Sequence, residues 1–248
     1  MHYYSQIMDI IKTIEEYYIK KGIHSLKFTC PHKSECSLNS TNFTGPRSAF
    51  VPDKYTNSYP RIAFLSLDPG EGDPDPKKRT PEAMRRQEQK DCIVEKLPKN
   101  LHWYETHYWT QQIYSAISSN DISLEETHNY FCHLNSVKCC QNKPNNKEAD
   151  NTLFINCRKY LLQELRIVAP QILITQGNQA RNAVKEIFKS TDALYPNVYL
   201  ISSPIKFLWV RTYHPSSREY YHKQKRDLDN IIGSLMENIS RITSKRRR

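Results

Sequence analysis

Four short apolar runs constrain this chain more than any other feature: Ile62 to Leu67, Phe131 to Val137, Ile172 to Thr175, and a last one through Val198 to Ile201 or Phe207 to Val210. Runs of that length without strict alternation read as strands buried on both faces, the habit of parallel sheets. Helical patterns lie between them, notably Leu153 to Val168 and Ala180 to Phe188. Alternating strand and helix predicts an α/β fold, a three-layer α/β/α sandwich whose mainly parallel central sheet has about four strands. Ile7, Ile10, Ile11, Ile14 and Tyr18 recur at helical spacing and predict an opening amphipathic helix that ends near Gly22. Leu228, Ile231, Ile232, Leu235, Ile239 and Ile242 predict a closing one packed on the sheet. The 248 residues suffice for one domain, 1–248, with an N-terminal helix and cysteine loop over 1–60 and a long insertion over 71–130.

Sites in such folds gather at the carboxyl ends of the strands. Asp68-Pro69-Gly70, Asn135, Gly177-Asn178 and His214 all fall at or just beyond the ends of apolar runs. Each alone reads as a turn residue; together they read as one site. His214 stands in RTYHPSS, residues 211–217, where the following proline fixes the local backbone.

The formal charge is +10, from 36 Lys and Arg against 26 Asp and Glu, so an anionic partner is expected and nucleic acid leads. A membrane is not expected, since no apolar run approaches the roughly 20 residues of a spanning helix. MHYYSQIMDIIKTIEEYY lacks the uninterrupted apolar core of a signal peptide, which points to the cytoplasm. In that reducing setting the seven cysteines, an odd number, read as thiols or metal ligands rather than disulfides. Cys30 and Cys36 sit in an irregular polar stretch, Thr29 to Pro60, that needs something to hold it.

RIAFLSLDPGEGDPD resembles the first motif of the uracil-DNA glycosylase superfamily, an apolar strand ending in Gly-x-(Asp, Asn or Ala)-Pro-(Gly or Tyr). TYHPSS resembles its second, His-Pro-Ser, and HLNSVKCC, residues 133–140, is similar to the Asn-x-Val-Lys-Cys strand end of its iron-sulfur branch. CRKYLLQELRIVAPQILITQGNQA, residues 157–180, is similar to that branch's cysteine-led helix, strand and Gly turn. The resemblance runs in order from about Cys30 to about Ser217.

It implies a monofunctional DNA glycosylase, a hydrolase of base-excision DNA repair acting on DNA as a monomer. Such an enzyme flips a nucleotide out of the stack and hydrolyses its N-glycosidic bond to leave an abasic site. Catalysis would fall to Asp68, under the sugar, and to His214, donating to the carbonyl oxygen of the departing base. Asn135, with Pro69 and Gly70, would read the base, and its amide matches uracil or, flipped, cytosine. Ser216, Ser217 and Arg218 would contact DNA. Cys30, Cys36, Cys139 and Cys157 would hold a structural 4Fe-4S cluster. Zinc is the alternative metal, and Cys140 the alternative to Cys139. Cys92 and Cys132 read as ordinary thiols.

The chain also departs from the pattern. Most of the iron-sulfur branch has Glu where Leu67 stands and Ala at Asp68, so the acid is displaced by one residue. Gly70 stands where uracil enzymes carry a Tyr that excludes a 5-methyl group. That opens a second reading, a glycosylase for bulky hydroxymethylated or glucosylated cytosine in phage DNA, acting in antiviral defence. A third is a non-catalytic DNA-binding or damage-sensing module. The insertion carries KKRTPEAMRRQEQK and LHWYETHYW. Trp109, Ile113 and Ile117 fall at helical spacing and read as core, while Trp103 and Tyr104 read equally as core or as stacking platforms.

Overall fold

A computed structural model describes residues 2–38, 40, 42–91, 101–143 and 148–243. Cys92 and the basic SKRRR terminus lie outside the described residues. Helix α1, His2–Lys20, stops two residues before Gly22 and leads into a small hairpin, β1 (Ile23–His24) with β2 (Lys27–Phe28). Then come the short helix α2, Lys33–Ser37, and strand β3, Gly45–Pro46. Strand β4 is Ile62–Ser66, followed by α3, Pro81–Asp91, and α4, Leu101–Ser118. Strands β5, Phe131–Asn135, and β6, Cys139–Cys140, precede α5, Asn151–Val168. The remaining order is β7 (Ile172–Gln176), α6 (Asn178–Ile187), β8 (Thr191–Tyr195), β9 (Val198–Ile201), β10 (Phe207–Thr212), α7 (Leu228–Asn238) and α8 (Ser240–Thr243).

The central sheet has six strands in the order β5-β4-β7-β10-β9-β8, rather than about four. The first four are parallel, as predicted, and β9 and β8 add an antiparallel edge. Both alternatives for the last apolar run are strands, joined as a hairpin. Strand β8 escapes a search for apolar runs because Thr191, Asp192 and Ala193 are solvent-exposed. An edge strand needs only its ladder bonds on one side.

Each face of the sheet carries its own layer. On one, Ala63, Leu65, Leu173 and Trp209 pack with α1, α5 and α6. On the other, Phe64, Ile174, Leu208 and Val210 pack with α4 and α7. Trp109 and Ile113 belong to this second layer, so α4 is an amphipathic core helix as its spacing predicts; Ile117 packs at its margin. Fully burying such side chains stabilises the fold by roughly 1.5–3 kcal/mol each.

The stretch from Thr29 to Pro60 is fixed by backbone bonds. Strand β3 pairs with β6, the Arg47 amide donates to the Lys138 carbonyl at 2.8 Å, and Phe50 forms a two-way bridge with His133. Among the described residues no helix is long and apolar enough to cross a membrane.

Candidate active site

The carboxyl ends of β4 and β5 and the loop after β10 meet at one cleft of about 690 Å³. In register, Ser66 at the end of β4 lies opposite Asn135 at the end of β5, and Thr212 on β10 opposite Gln176 on β7. Asp68, Pro69, Gly70, Asn135, His214 and Ser216 all line the cleft. Ser217 and Arg218 are not among its lining, and neither are Gly177 and Asn178. Gly177 instead turns the chain from β7 into α6. Its φ of +96° and the 2.9 Å that a Cβ would leave to Leu67 restrict that position to glycine.

Asp68 is a turn former as well as a cleft residue. Its Oδ1 accepts from the Gly70 amide at 2.8 Å, and its Oδ2 accepts from the Ala149 amide at 3.2 Å. A carboxylate has about four acceptor sites, so two such bonds aim it and leave lone pairs facing the cleft. Leu67, where the iron-sulfur branch carries its acid, packs against Gly177.

His214 is oriented by its neighbour two residues on. The Ser216 amide donates to His214 Nδ1 at 3.3 Å, and the Ser216 hydroxyl lies 2.6 Å from the same nitrogen. A backbone N–H can only donate, so Nδ1 carries the lone pair and the neutral ring keeps its proton on Nε2. Burial lowers the ring's pKa, opposed by the charge of Asp68. The ring is therefore a neutral N–H donor at neutral pH. Asn135 is buried, and its Oδ1 has no hydrogen-bond partner among the described residues. A buried acceptor left open costs about 1–3 kcal/mol, a cost that a bound ligand can remove.

Several cleft residues have no motif to announce them. His102 and Trp103 arrive from the first turn of α4, His133 from β5, Arg47 from the polar stretch before β4, and Lys143 and Glu148 from the segment after β6. His102 and His133 both approach the Ser66 hydroxyl, at 3.2 and 2.8 Å. Burial first, then the neighbouring His214, pushes His102 down to about 3. Burial also holds His133 well below the usual range, with His102, Arg47 and Lys138 adding to it. Burial and the charge of Asp68 raise the Glu148 carboxyl. Lys143 pairs its ammonium with Asp150. Trp103 thus belongs to the cleft wall, whereas Tyr104 stacks on Tyr108 beneath the Lys225 ammonium and does not line it. Trp103, in the aromatic run LHWYETHYW, and His133, two residues before Asn135 and so on the same face of its strand, left a trace in sequence.

Cys30, Cys36, Cys139 and Cys157 line a second, much smaller cavity together with Ile23, Phe28 and Leu153. Successive residues of a strand point to opposite sides, and Cys140 accordingly faces away, against Thr44 and Gly72. Burial raises the Cys139 and Cys157 thiols, the latter to about 12, so as free thiols they stay protonated and unreactive. Cys132 is buried within β5 beside Tyr55. Among the described residues, no three His, Cys, Asp or Glu side chains are grouped as they would be around a single metal ion.

No curated protein sequence matches the chain. The family profile of the Uracil DNA glycosylase superfamily matches residues 54–235, starting after Cys30 and Cys36 but spanning the Asp68 turn, the Asn135 strand end and the His214 loop. With that match over well over half of its 248 residues, the chain belongs to the uracil-DNA glycosylase superfamily, whose members are DNA glycosylases.

Proposed function

We propose that the protein is a monofunctional DNA glycosylase that flips a pyrimidine into the cleft and hydrolyses its N-glycosidic bond, leaving an abasic site. What supports this reading most is the convergence of an aimed carboxylate, Asp68, and a neutral imidazole with its donor nitrogen free, His214, on one cleft with an open buried acceptor on Asn135. Unstacking the nucleotide costs a few kcal/mol, which binding in the cleft must offset. As the bond lengthens, positive charge grows on the sugar and negative charge on the base. Asp68 stabilises the first or orients the attacking water, and the Nε2–H of His214 donates to the base oxygen as that oxygen gains charge. Asn135 reads the base edge. Among the described residues of the cleft lining the only amine is that of Lys143, which is paired with Asp150, in keeping with hydrolysis alone.

Uracil is the first substrate to test. A bulkier cytosine, hydroxymethylated or glucosylated as in phage DNA, is favoured by one observation: a Cβ built on Gly70 meets nothing within 4 Å, so nothing closes the cleft there. That substrate would make the protein an antiviral defence enzyme rather than a repair enzyme. Abasic-site formation on matched oligonucleotides bearing uracil, thymine, hydroxymethylcytosine or its glucosylated form separates the two. Cleavage that Asp68→Asn and His214→Ala both abolish supports the glycosylase. DNA binding without cleavage of any of them overturns it in favour of a binding module.

The four thiols around one cavity fit a 4Fe-4S cluster by donor type and number, with zinc as the alternative for four thiolates. When bound, the cluster would tie the Thr29 to Pro60 stretch to α5 and β6, a structural role, since hydrolysis transfers no electrons. Anaerobically purified protein is expected to be brown, with absorption near ~400 nm. A colourless, zinc-loaded protein overturns that assignment. A monomer working in the cytoplasm completes the reading, testable by sedimentation and by fractionation.

A further inference from the structure

We propose that His102, carried into the cleft by α4 of the 71–130 insertion, is a positioning residue whose ring is the platform that holds His214 in its donor orientation. The inference rests on the glycosylase reading of the cleft and adds a residue to it that lies outside every motif.

The two imidazoles stack, with ring centroids 5.1 Å apart and planes 22° from parallel. Ser216 holds the Nδ1 edge of His214, and His102 covers its face. One contact limits rotation within the ring plane; the other limits tipping out of it. His102 is itself pinned by a chain of bonds whose direction can be worked out. The Thr106 hydroxyl donates to the His102 carbonyl at 3.0 Å, so its oxygen accepts from Gln176 Nε2 at 3.1 Å. Gln176 therefore turns Oε1 toward Ser66, whose hydroxyl donates to it at 2.7 Å. With its one proton committed there, the Ser66 oxygen accepts from Nε2–H of His102 and of His133. The ends of β4 and β7, strand β5 and the start of α4 thus converge on one hydroxyl that fixes the His102 ring.

Such a ring is a surface and not an acid. Buried and neutral, it has no proton to give at working pH, and its Nε2–H is already engaged. Its effect must pass through His214. The charged group acting on His214 is Asp68, from the turn after β4, and the charge of His214 in turn acts on His102 from α4. Asp68 favours the imidazolium, and burial, in which the His102 ring shares, opposes it. Removing that ring hydrates His214, leaves Asp68 less opposed and lets the ring tip into the cleft. A displacement of about 1 Å can cost ~100-fold in rate.

The test compares full-length His102→Ala, His102→Phe and His102→Asn with the parent. The ionisation midpoint of His214 is read by NMR of ring-labelled histidine without DNA, its signal assigned by loss in His214→Gln. The Ala and Asn variants should raise that midpoint by about half a pH unit or more, while Phe, which keeps a ring, leaves it near the parent. Single-turnover cleavage of the substrate identified above should fall about 30-fold in Ala and Asn, with DNA affinity within about twofold, and stay within about threefold in Phe. An unmoved midpoint in the Ala variant overturns the proposal, and so does an Asn variant that keeps full rate while Phe loses it. Should Ala fail to fold, the Phe and Asn pair still decides. Midpoints that move as expected in a protein that cleaves nothing would leave the positioning role standing and defeat the glycosylase reading.

Discussion

The cleft and the thiol cavity are furnished by one short run of chain, Asn135 to Cys139, yet they are opposites. The cleft holds about 690 Å³ and the cavity only about 10 Å³ by the same measure. The first is walled by imidazoles, carboxylates and amides, one of whose acceptors is left open; the second is walled by thiols and apolar side chains. Between them runs Lys138, whose amide donates to Cys157 Sγ at 3.4 Å. Its ammonium reaches the Asn135 carbonyl and the buried Glu164, the latter at 2.7 Å. Open polar surface is what a reversible guest requires, and closure is what a permanent structural element requires. Lys138 is the strut that lets one strand end serve both.

The sharpest test of this division is His214→Ala. It should lower single-turnover cleavage by ~100- to 10,000-fold and leave the melting temperature nearly unchanged, since the lost ring is half-exposed. A large fall in melting temperature would break the comparison by making the cleft a structural element. Lys138→Met should strike both regions at once. It strands the Glu164 carboxylate without its cation and should cost about 3–5 kcal/mol in urea unfolding. Loss of cleavage with full stability would show that Lys138 serves the cleft alone.

The cleft should also be the acid-sensitive region. His102, His133 and His214 have folded pKa values below that of a free imidazole. The unfolded chain therefore takes up protons that the fold refuses, so stability is fully present above about pH 6.5 and falls as the pH drops below it, by about 3 kcal/mol by pH 4 from His102 alone. Urea midpoints across that range check it, and His102→Phe should flatten the fall. The smallest effect is expected behind the cavity. In Gly72→Ala the new Cβ would lie 2.5 Å from Cys140 Sγ and 2.6 Å from Thr44 Oγ1, and the shift required should cost about 1–2 kcal/mol without altering cleavage in the cleft.

How legible these regions were depends on what kind of contact makes them. The parallel strands, the Asp68 turn, Asn135 and the His214 loop could be read from the chain because apolar runs and strand-end turns leave local signatures. The separation of Cys139 from Cys140 is likewise a consequence of strand alternation. Strand β8 left no signature because its first three residues face water. In sequence the stretch before β4 offered its two cysteines as candidates to hold it, whereas the β3–β6 pairing and the Phe50 bridge to His133 hold it through backbone atoms, which carry no sequence pattern. His102, Arg47 and Glu148 meet at the cleft through tertiary folding, and in sequence they are a histidine among aromatics, an arginine among prolines and serines, and a glutamate in a polar loop.

The neighbouring strands β4 and β5 are parallel, so the chain between them must cross over the sheet, and the insertion that brings α3 and α4 is that crossover. Helix α4 is further committed to the body. Trp109 Nε1 donates to the Tyr220 hydroxyl at 2.6 Å, and Glu105 receives both that hydroxyl and the Lys225 ammonium. Only its first turn, with His102 and Trp103, borders the cleft. Trimming or exchanging the segment wholesale would therefore remove part of the body along with the cleft wall. What the cleft accepts is open to change at the border positions 102 and 103, on a frame that must stay intact. A designer meets the same constraint: replacements at those two positions leave the frame of α4 in place, whereas position 70, with a φ of +64°, strains any residue but glycine.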